Sequence, residues 1–184
     1  SSRVAQDNNQ ANLQTGVAGW GFDLNLAYIG REAQTSASRT PGDVTQDRYF
    51  LVLGGVRSRL IQEDATTYRL ERDNRWRVER KSGGDGCQVA PVDCDYWLVT
   101  TRDGTQHRFG FAQDAIQRSL AVENGQVSVY PGTYWLDQIQ DPRGNTISFS
   151  YDPNQKESYT YTAYGTDYDA AVYLTQIDYT NNVT

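Results

Sequence analysis

The chain has 184 residues and carries 17 Lys and Arg against 23 Asp and Glu, a net charge of −6. That length suits one domain able to bury a sizeable core, and the acidic balance argues against a nucleic-acid binder, whose affinity comes from basic side chains on phosphates. No run approaches the roughly 18 apolar residues of a membrane-spanning helix, so this segment is expected to insert in no membrane.

Thirteen Tyr, 4 Trp and 5 Phe, with 16 Gly, point to strands and turns. Residues 1–184 read as one β domain or a fragment of a larger β assembly, with about the first 15 residues extended or disordered. With no Met in the chain, Ser1 reads as the start of a mature piece or a fragment rather than a translation start.

In chain order, Tyr49 to Leu53 is nearly all apolar, and Gly54-Gly55 supplies the positive φ of a tight hairpin turn before Val56 to Ile61. Tyr68, Leu70, Trp76 and Val78 are apolar at even positions, while Arg69, Glu71, Arg75, Arg77 and Glu79 are polar at odd ones. This pattern predicts a hairpin about Asp73-Asn74 with one dry and one wet face. The basic cluster Arg69, Arg72, Arg75, Arg77, Arg80 and Lys81 then reads as a charged outer face.

Cys87 and Cys94 follow in a Gly-, Pro- and Asp-rich loop. Their spacing is not C-x-x-C, and no second pair exists to complete a metal site, so a local disulfide in an oxidising compartment is favoured.

Tyr96 to Gly110 reads as a hairpin turning at Asp103-Gly104, with Trp97, Val99, His107, Phe109 and Phe111 on one face. Phe111 to Val122 is the best helical candidate, as a short helix or a loop with one turn. A further hairpin runs from Tyr134-Trp135-Leu136 through the turn Asp141-Pro142-Arg143-Gly144-Asn145 to Thr146–Tyr151. Trp97-Leu98, Trp135-Leu136 and Tyr173-Leu174 recur every 38 residues. Even spacing argues for stacked repeat units that bury a face only against neighbours. The third copy stops at Thr184, where its return strand is due, so an unpaired edge is expected there.

The chemistry-bearing residues are sparse. His107 is the one histidine and sits mid-strand among aromatics, which favours a structural role over that of a general base. No G-x-S-x-G element supports a Ser-His-Asp triad. Carboxylate pairs such as Glu63/Asp64 and Asp137/Asp141 arise by chance among 23 acidic residues. Asp141, Asn145 and Asp152 flank turns, where their side chains bond local backbone without calcium. No catalytic residue, cofactor or metal is expected. Trp20, Trp76, Trp97 and Trp135 suggest a second reading, a platform for sugar rings, against the plainer one that they pack sheet on sheet.

Several segments resemble, in order, the shell-opening region of RHS/YD-repeat, SpvB-type and insecticidal toxin-complex B proteins. They are Gly19-Trp20-Gly21-Phe22-Asp23-Leu24 with Ile29 and Arg31, then Asp47-Arg48-Tyr49-Phe50-Leu51, then Tyr96-Trp97 through Asp103-Gly104-Thr105 to Phe109-Gly110. Tyr134-Trp135-Leu136 through Asp141, Gly144 and Asn145 to Tyr151-Asp152, and Tyr173 to Tyr179, continue the series. No one motif is specific; their number and order carry the resemblance. It implies that the chain supplies the opening stretch of a hollow β-shell that encloses a toxic or cleavable domain. The family's long tandem array, self-cleavage segment and toxin domain have no counterpart in these residues.

The resemblance also implies a non-catalytic protein, secreted or at a bacterial surface, whose partner is the remainder of its parent polypeptide, with a glycan or another protein as further candidates. The expected fold is all-β: a meander of antiparallel hairpins in twisted, partly open sheets. A closed β-sandwich or barrel is the alternative.

Overall fold

The computed structural model describes residues 26–32, 47–72, 75–86, 94–123, 126–152, 157–161 and 166–180. Seven strands come first: β1 (Tyr28–Glu32), β2 (Arg48–Leu53), β3 (Val56–Gln62), β4 (Thr67–Leu70), β5 (Arg77–Ser82), β6 (Asp95–Thr100) and β7 (Gln106–Phe109). Each pairs antiparallel with the next. A 3-10 turn, Gln113–Ala115, leads to β8 (Ile116–Glu123), which pairs with the long β9 (Gln126–Gln140). Then follow β10 (Thr146–Tyr151), β11 (Glu157–Tyr161), β12 (Thr166–Ala171) and β13 (Leu174–Thr180).

The partly open meander expected from sequence is overturned. β9 pairs with β7 along one edge, Phe109 opposite Leu136. Along its other edge it pairs with β1, Tyr28 opposite Trp135. The strands β1 to β7 and β9 therefore close into an eight-stranded antiparallel barrel. Closure removes the free edges that an open meander would leave. Alternation decides which face fills the interior: Ile29, Leu51, Val78, Trp97, Val99, Phe109 and Tyr134 are all essentially without solvent exposure.

Length lets β9 serve two structures. Its first half carries β8 as an arm, and its last residues carry β10, which in turn carries β13. Ala115, Tyr151 and Val172 form a second, smaller core outside the barrel wall, with Trp135, Phe149 and Leu174 packed on it. β11 and β12 form a separate hairpin. Asp169 on β12 meets β8 by accepting the Arg118 amide at 3.0 Å.

The turns follow the sequence. Gly54 and Gly55 both have positive φ, and Gly104 and Gly144 take it in the other two hairpins. Tyr68, Leu70 and Val78 are buried, with Trp76 half-buried, while Asp73-Asn74 lies outside the described residues.

Three readings need correction. The stretch from Phe111 holds only the 3-10 turn and then enters β8, so its helical spacing does not produce a helix. Phe111 does not share the face of Trp97. Gly110, at φ +66, turns the chain, and Phe111 packs edge-on against outward-facing Tyr96. The 38-residue repeat does not mark equivalent positions. Trp97 points into the barrel, Trp135 packs outside it on Tyr28 at 5.2 Å, and Tyr173 precedes β13. The units close into a ring rather than stack.

Candidate functional site: the Asp137 junction and the barrel mouths

The chain leaves the barrel after β7, and one carboxylate fastens that exit. β9 carries an extra residue where Arg108 faces Gln138 and Phe109 faces Leu136. A bulge of this kind re-aims a side chain. Here the bulged residue is Asp137, whose side chain is 2% exposed. It accepts from Arg108 Nε at 2.6 Å, from the Phe111 amide at 2.6 Å and from the Ala112 amide at 3.2 Å. Burial pushes its carboxyl above the usual range, and the Arg108 charge opposes that shift. Beside it the Gly110 amide donates to the Trp135 carbonyl at 3.0 Å, and the Tyr151 hydroxyl donates to the Leu136 carbonyl at 2.7 Å. A side chain at Gly110 would meet Tyr134 Cδ1 at 2.5 Å. Every partner of Asp137 is structural, so the cluster splices barrel to outer sheet. In the sequence Asp137 figures only as half of a chance acidic pair with Asp141, since nothing local marks the bulge that turns it inward.

One barrel mouth, where β1 ends and β2 begins, is charged and closed. Arg31 pairs with Asp47, both nearly inaccessible. Arg80 pairs with Asp95 at 2.7 Å and lies over the rings of Tyr49 and Trp97. Trp97 stands behind this layer, its ring centroid 4.9 Å from Tyr49 and from Tyr68 and 6.2 Å from Tyr134. The Tyr49 and Tyr134 hydroxyls and Trp97 Nε1 are buried with no hydrogen-bond partner. Burial raises both phenol pKa values. Cys94, which opens the approach to β6, is disulfide-bonded, and its carbonyl accepts from Gly83 and Gly84. Cys87 lies outside the described residues.

The other mouth carries the hairpin turns. Asp103 accepts from the Thr101 hydroxyl at 2.6 Å, the Thr105 amide at 3.2 Å and the Thr105 hydroxyl at 3.0 Å. These bonds, the Thr101 hydroxyl first, hold its carboxyl down to about 2. In the next turn Asp141 accepts from the Asn145 side chain at 2.7 Å and from the Asn145 and Arg143 amides. Its pKa is likewise lowered, the Asn145 side chain contributing most. These contacts account for Asp103 and Asp141 without an ion, and among the described residues no His, Cys, Asp and Glu gather into a group able to hold a metal. Both folded-state values lie below the unfolded ones. The stability they add is therefore present above about pH 4 and lost on further acidification, for Asp103 as pH falls toward about 2. The urea midpoint is expected to drop across that window, and the drop should be shallower in Asp103→Asn and Asp141→Asn. An unchanged slope in both variants would show that other groups govern acid unfolding.

His107, on β7 at this mouth, is half-buried, and burial lowers its pKa. The nearby Asp103 carboxylate is engaged by its own turn, so no triad assembles from these groups. Among the described tryptophans none is exposed: Trp97 is inside, and Trp76 and Trp135 are half-buried. Trp20 lies outside the described residues, so no Trp platform for sugars is formed by those that are described.

A family model described as SpvB, Salmonella virulence plasmid 65kDa B protein, matches residues 7–184. The chain belongs to the SpvB family. Its fold is similar to that of the N-terminal domain of the effector protein SpvB from Salmonella typhimurium strain LT2, with a TM-score of 0.58 and 18% identity over 95% of this chain. It is also similar to part of the Photorhabdus luminescens Tc holotoxin pore, TM-score 0.54 and 17% identity over 93% of this chain, and to part of TcdB2-TccC3, TM-score 0.54 and 20% identity over 90%. The chain spans 57% of the SpvB domain and 8% of each Tc chain. No curated protein sequence matches it.

Within this family fold, the residues that carried the sequence resemblance take separate places. Trp97 fills the barrel, Asp103 and Gly104 make one turn, and Asp141, Gly144 and Asn145 make another. Trp135 and Tyr151 join the second core. Gly19, Trp20 and Gly21 lie outside the described residues. No helix among the described residues is long and apolar enough to cross a membrane.

Proposed function

We propose that this chain is the non-catalytic opening of an encapsulating β-shell in a longer, secreted or surface-displayed bacterial toxin-like protein of RHS/YD-repeat type, its partner being the rest of that polypeptide. The observation that supports this reading is the state of β13. Among the described residues it pairs with β10 alone, which leaves its other edge open. Its residues Thr175 to Thr180 are exposed, including Ile177 at 41% and Tyr179 at 72%. An open edge flanked by exposed apolar side chains is a template for another strand. The barrel would be the closed start of the wall and the β10–β13 sheet its growing end. Against catalysis stands the use of Asp103, whose charge acts on His107, and Asp137, which pairs with Arg108, in purely structural bonds.

The test compares this chain with one extended through the residues that follow it in its parent protein, by sedimentation, urea unfolding and hydrogen exchange. The extended chain is expected to be more stable, less self-associated and newly protected along β13, as neighbours in an array stabilise each other. Equal stability and equal exchange in β13, with a monomeric 184-residue chain, would mark a self-contained module and end the shell reading.

A further inference from the structure

Inside the closed mouth, three polar atoms of one layer are left unmet by the described residues. They are the hydroxyls of Tyr49 and Tyr134 and Nε of Arg80, all buried and without a hydrogen-bond partner. Strand register brings them together. Tyr49 stands opposite Arg31 on one side of β1, and Tyr134 stands opposite Ile29 on the other. Arg80 reaches in from β5, its guanidinium 5.4 Å from the centre of the Tyr49 ring. One terminal nitrogen of that guanidinium is engaged by Asp95 at 2.7 Å, which leaves Nε over. After burial itself, Tyr49 and the Arg80 charge act most on the Tyr134 phenol, yet neither bonds to it.

Polar groups near enough to act on one another, but not in direct contact, are joined in proteins by bridging water. The donor and acceptor balance suits one such molecule. Arg80 Nε can only donate, whereas each phenol can donate and accept. A water that accepts from Arg80 Nε and gives its two protons to the two phenol oxygens supplies every one of these groups with a bond. A halide could also accept from all three. It would, however, be an unmatched buried charge, because Arg31 with Asp47 and Arg80 with Asp95 are already paired. We propose that a single water molecule is a resident ligand of the barrel, held inside the closed mouth between Tyr49, Tyr134 and Arg80. Its partners belong to β2, β9 and β5, so it fastens three strands of the ring across the lumen. The Tyr130 ring, 4.5 Å from the Arg31 guanidinium, helps to seal it from bulk solvent.

The test uses Tyr49→Phe, Tyr134→Phe and the double variant, which keep the rings and remove only hydroxyls. Urea midpoints are measured on the full chain, together with oxygen-17 relaxation dispersion, which counts long-lived waters. Each single variant is expected to lower the midpoint. The double variant should lower it by less than the sum, because both substitutions act on one shared molecule. It should also hold one long-lived water fewer than the wild type. A dry site predicts the opposite sign, since removing an unmet buried hydroxyl is stabilising. A raised midpoint in either single variant, losses that simply add, or an unchanged number of long-lived waters would each overturn the proposal. So would a wild-type midpoint that rises when chloride replaces gluconate at constant ionic strength while that of the double variant does not, because that result marks a halide in the site.

Discussion

Trp97→Ala is expected to cost about 3–5 kcal/mol in urea unfolding, a large part of the stability of a typical domain. The indole is fully buried and touches Tyr49, Tyr68 and Tyr134, so truncation leaves a cavity and removes three aromatic contacts together. Its indole nitrogen makes no hydrogen bond, so the loss is one of packing. Trp135→Ala is the informative control. Trp135 is half-buried outside the wall, and its removal should cost clearly less. A stack of equivalent repeats would make the two variants equal; the barrel makes them unequal. Equal costs would count against the inside–outside assignment.

Asp137→Ala is expected to cost about 3 kcal/mol, because it strands Arg108 and two part-buried amides at once. Arg108→Ala should be milder and should depend on pH. Without the guanidinium the buried carboxyl loses the main influence that holds its pKa down, so its folded value rises further above the unfolded one. The folded state then binds the proton more tightly than the unfolded state. The stability deficit of Arg108→Ala should shrink as pH falls and the buried carboxyl takes up its proton. Urea midpoints of the two variants across the mildly acid range check this. A deficit in Arg108→Ala that grows on acidification would show that Asp137 keeps its charge.

Local chemistry was legible in the sequence. Gly54-Gly55, Asp103-Gly104 and Asp141 to Asn145 named three turns, because each is fixed by positive φ or by a side chain bonded to its own loop. The alternation around Tyr68 and Val78 placed the wet and dry faces of β4 and β5. What the sequence could not show was which strands meet at long range. Closure depends on β9 using both edges, and on a bulge at Asp137 that no local pattern announces. The same bulge and the turn at Gly110 misled the reading of the aromatics, since a one-residue shift moves a side chain to the opposite face. Trp97 and Trp135 therefore look alike in sequence and lie on opposite sides of the wall.

The seam between β1 and β9 also sets an order of events. It joins Tyr28 to Trp135, Ile29 to Tyr134 and Gly30 to Thr133, and every other strand of the ring lies between them in the chain. Contacts this distant in sequence are slow to form, because the intervening loop must be gathered before they return any energy. A nascent or translocating chain makes β1 first and can complete its pairing last. Until β9 emerges, β1 keeps a bare edge toward whatever else is in its surroundings, which makes this seam the point where a chaperone, or a misfolded neighbour, would find the unfinished barrel.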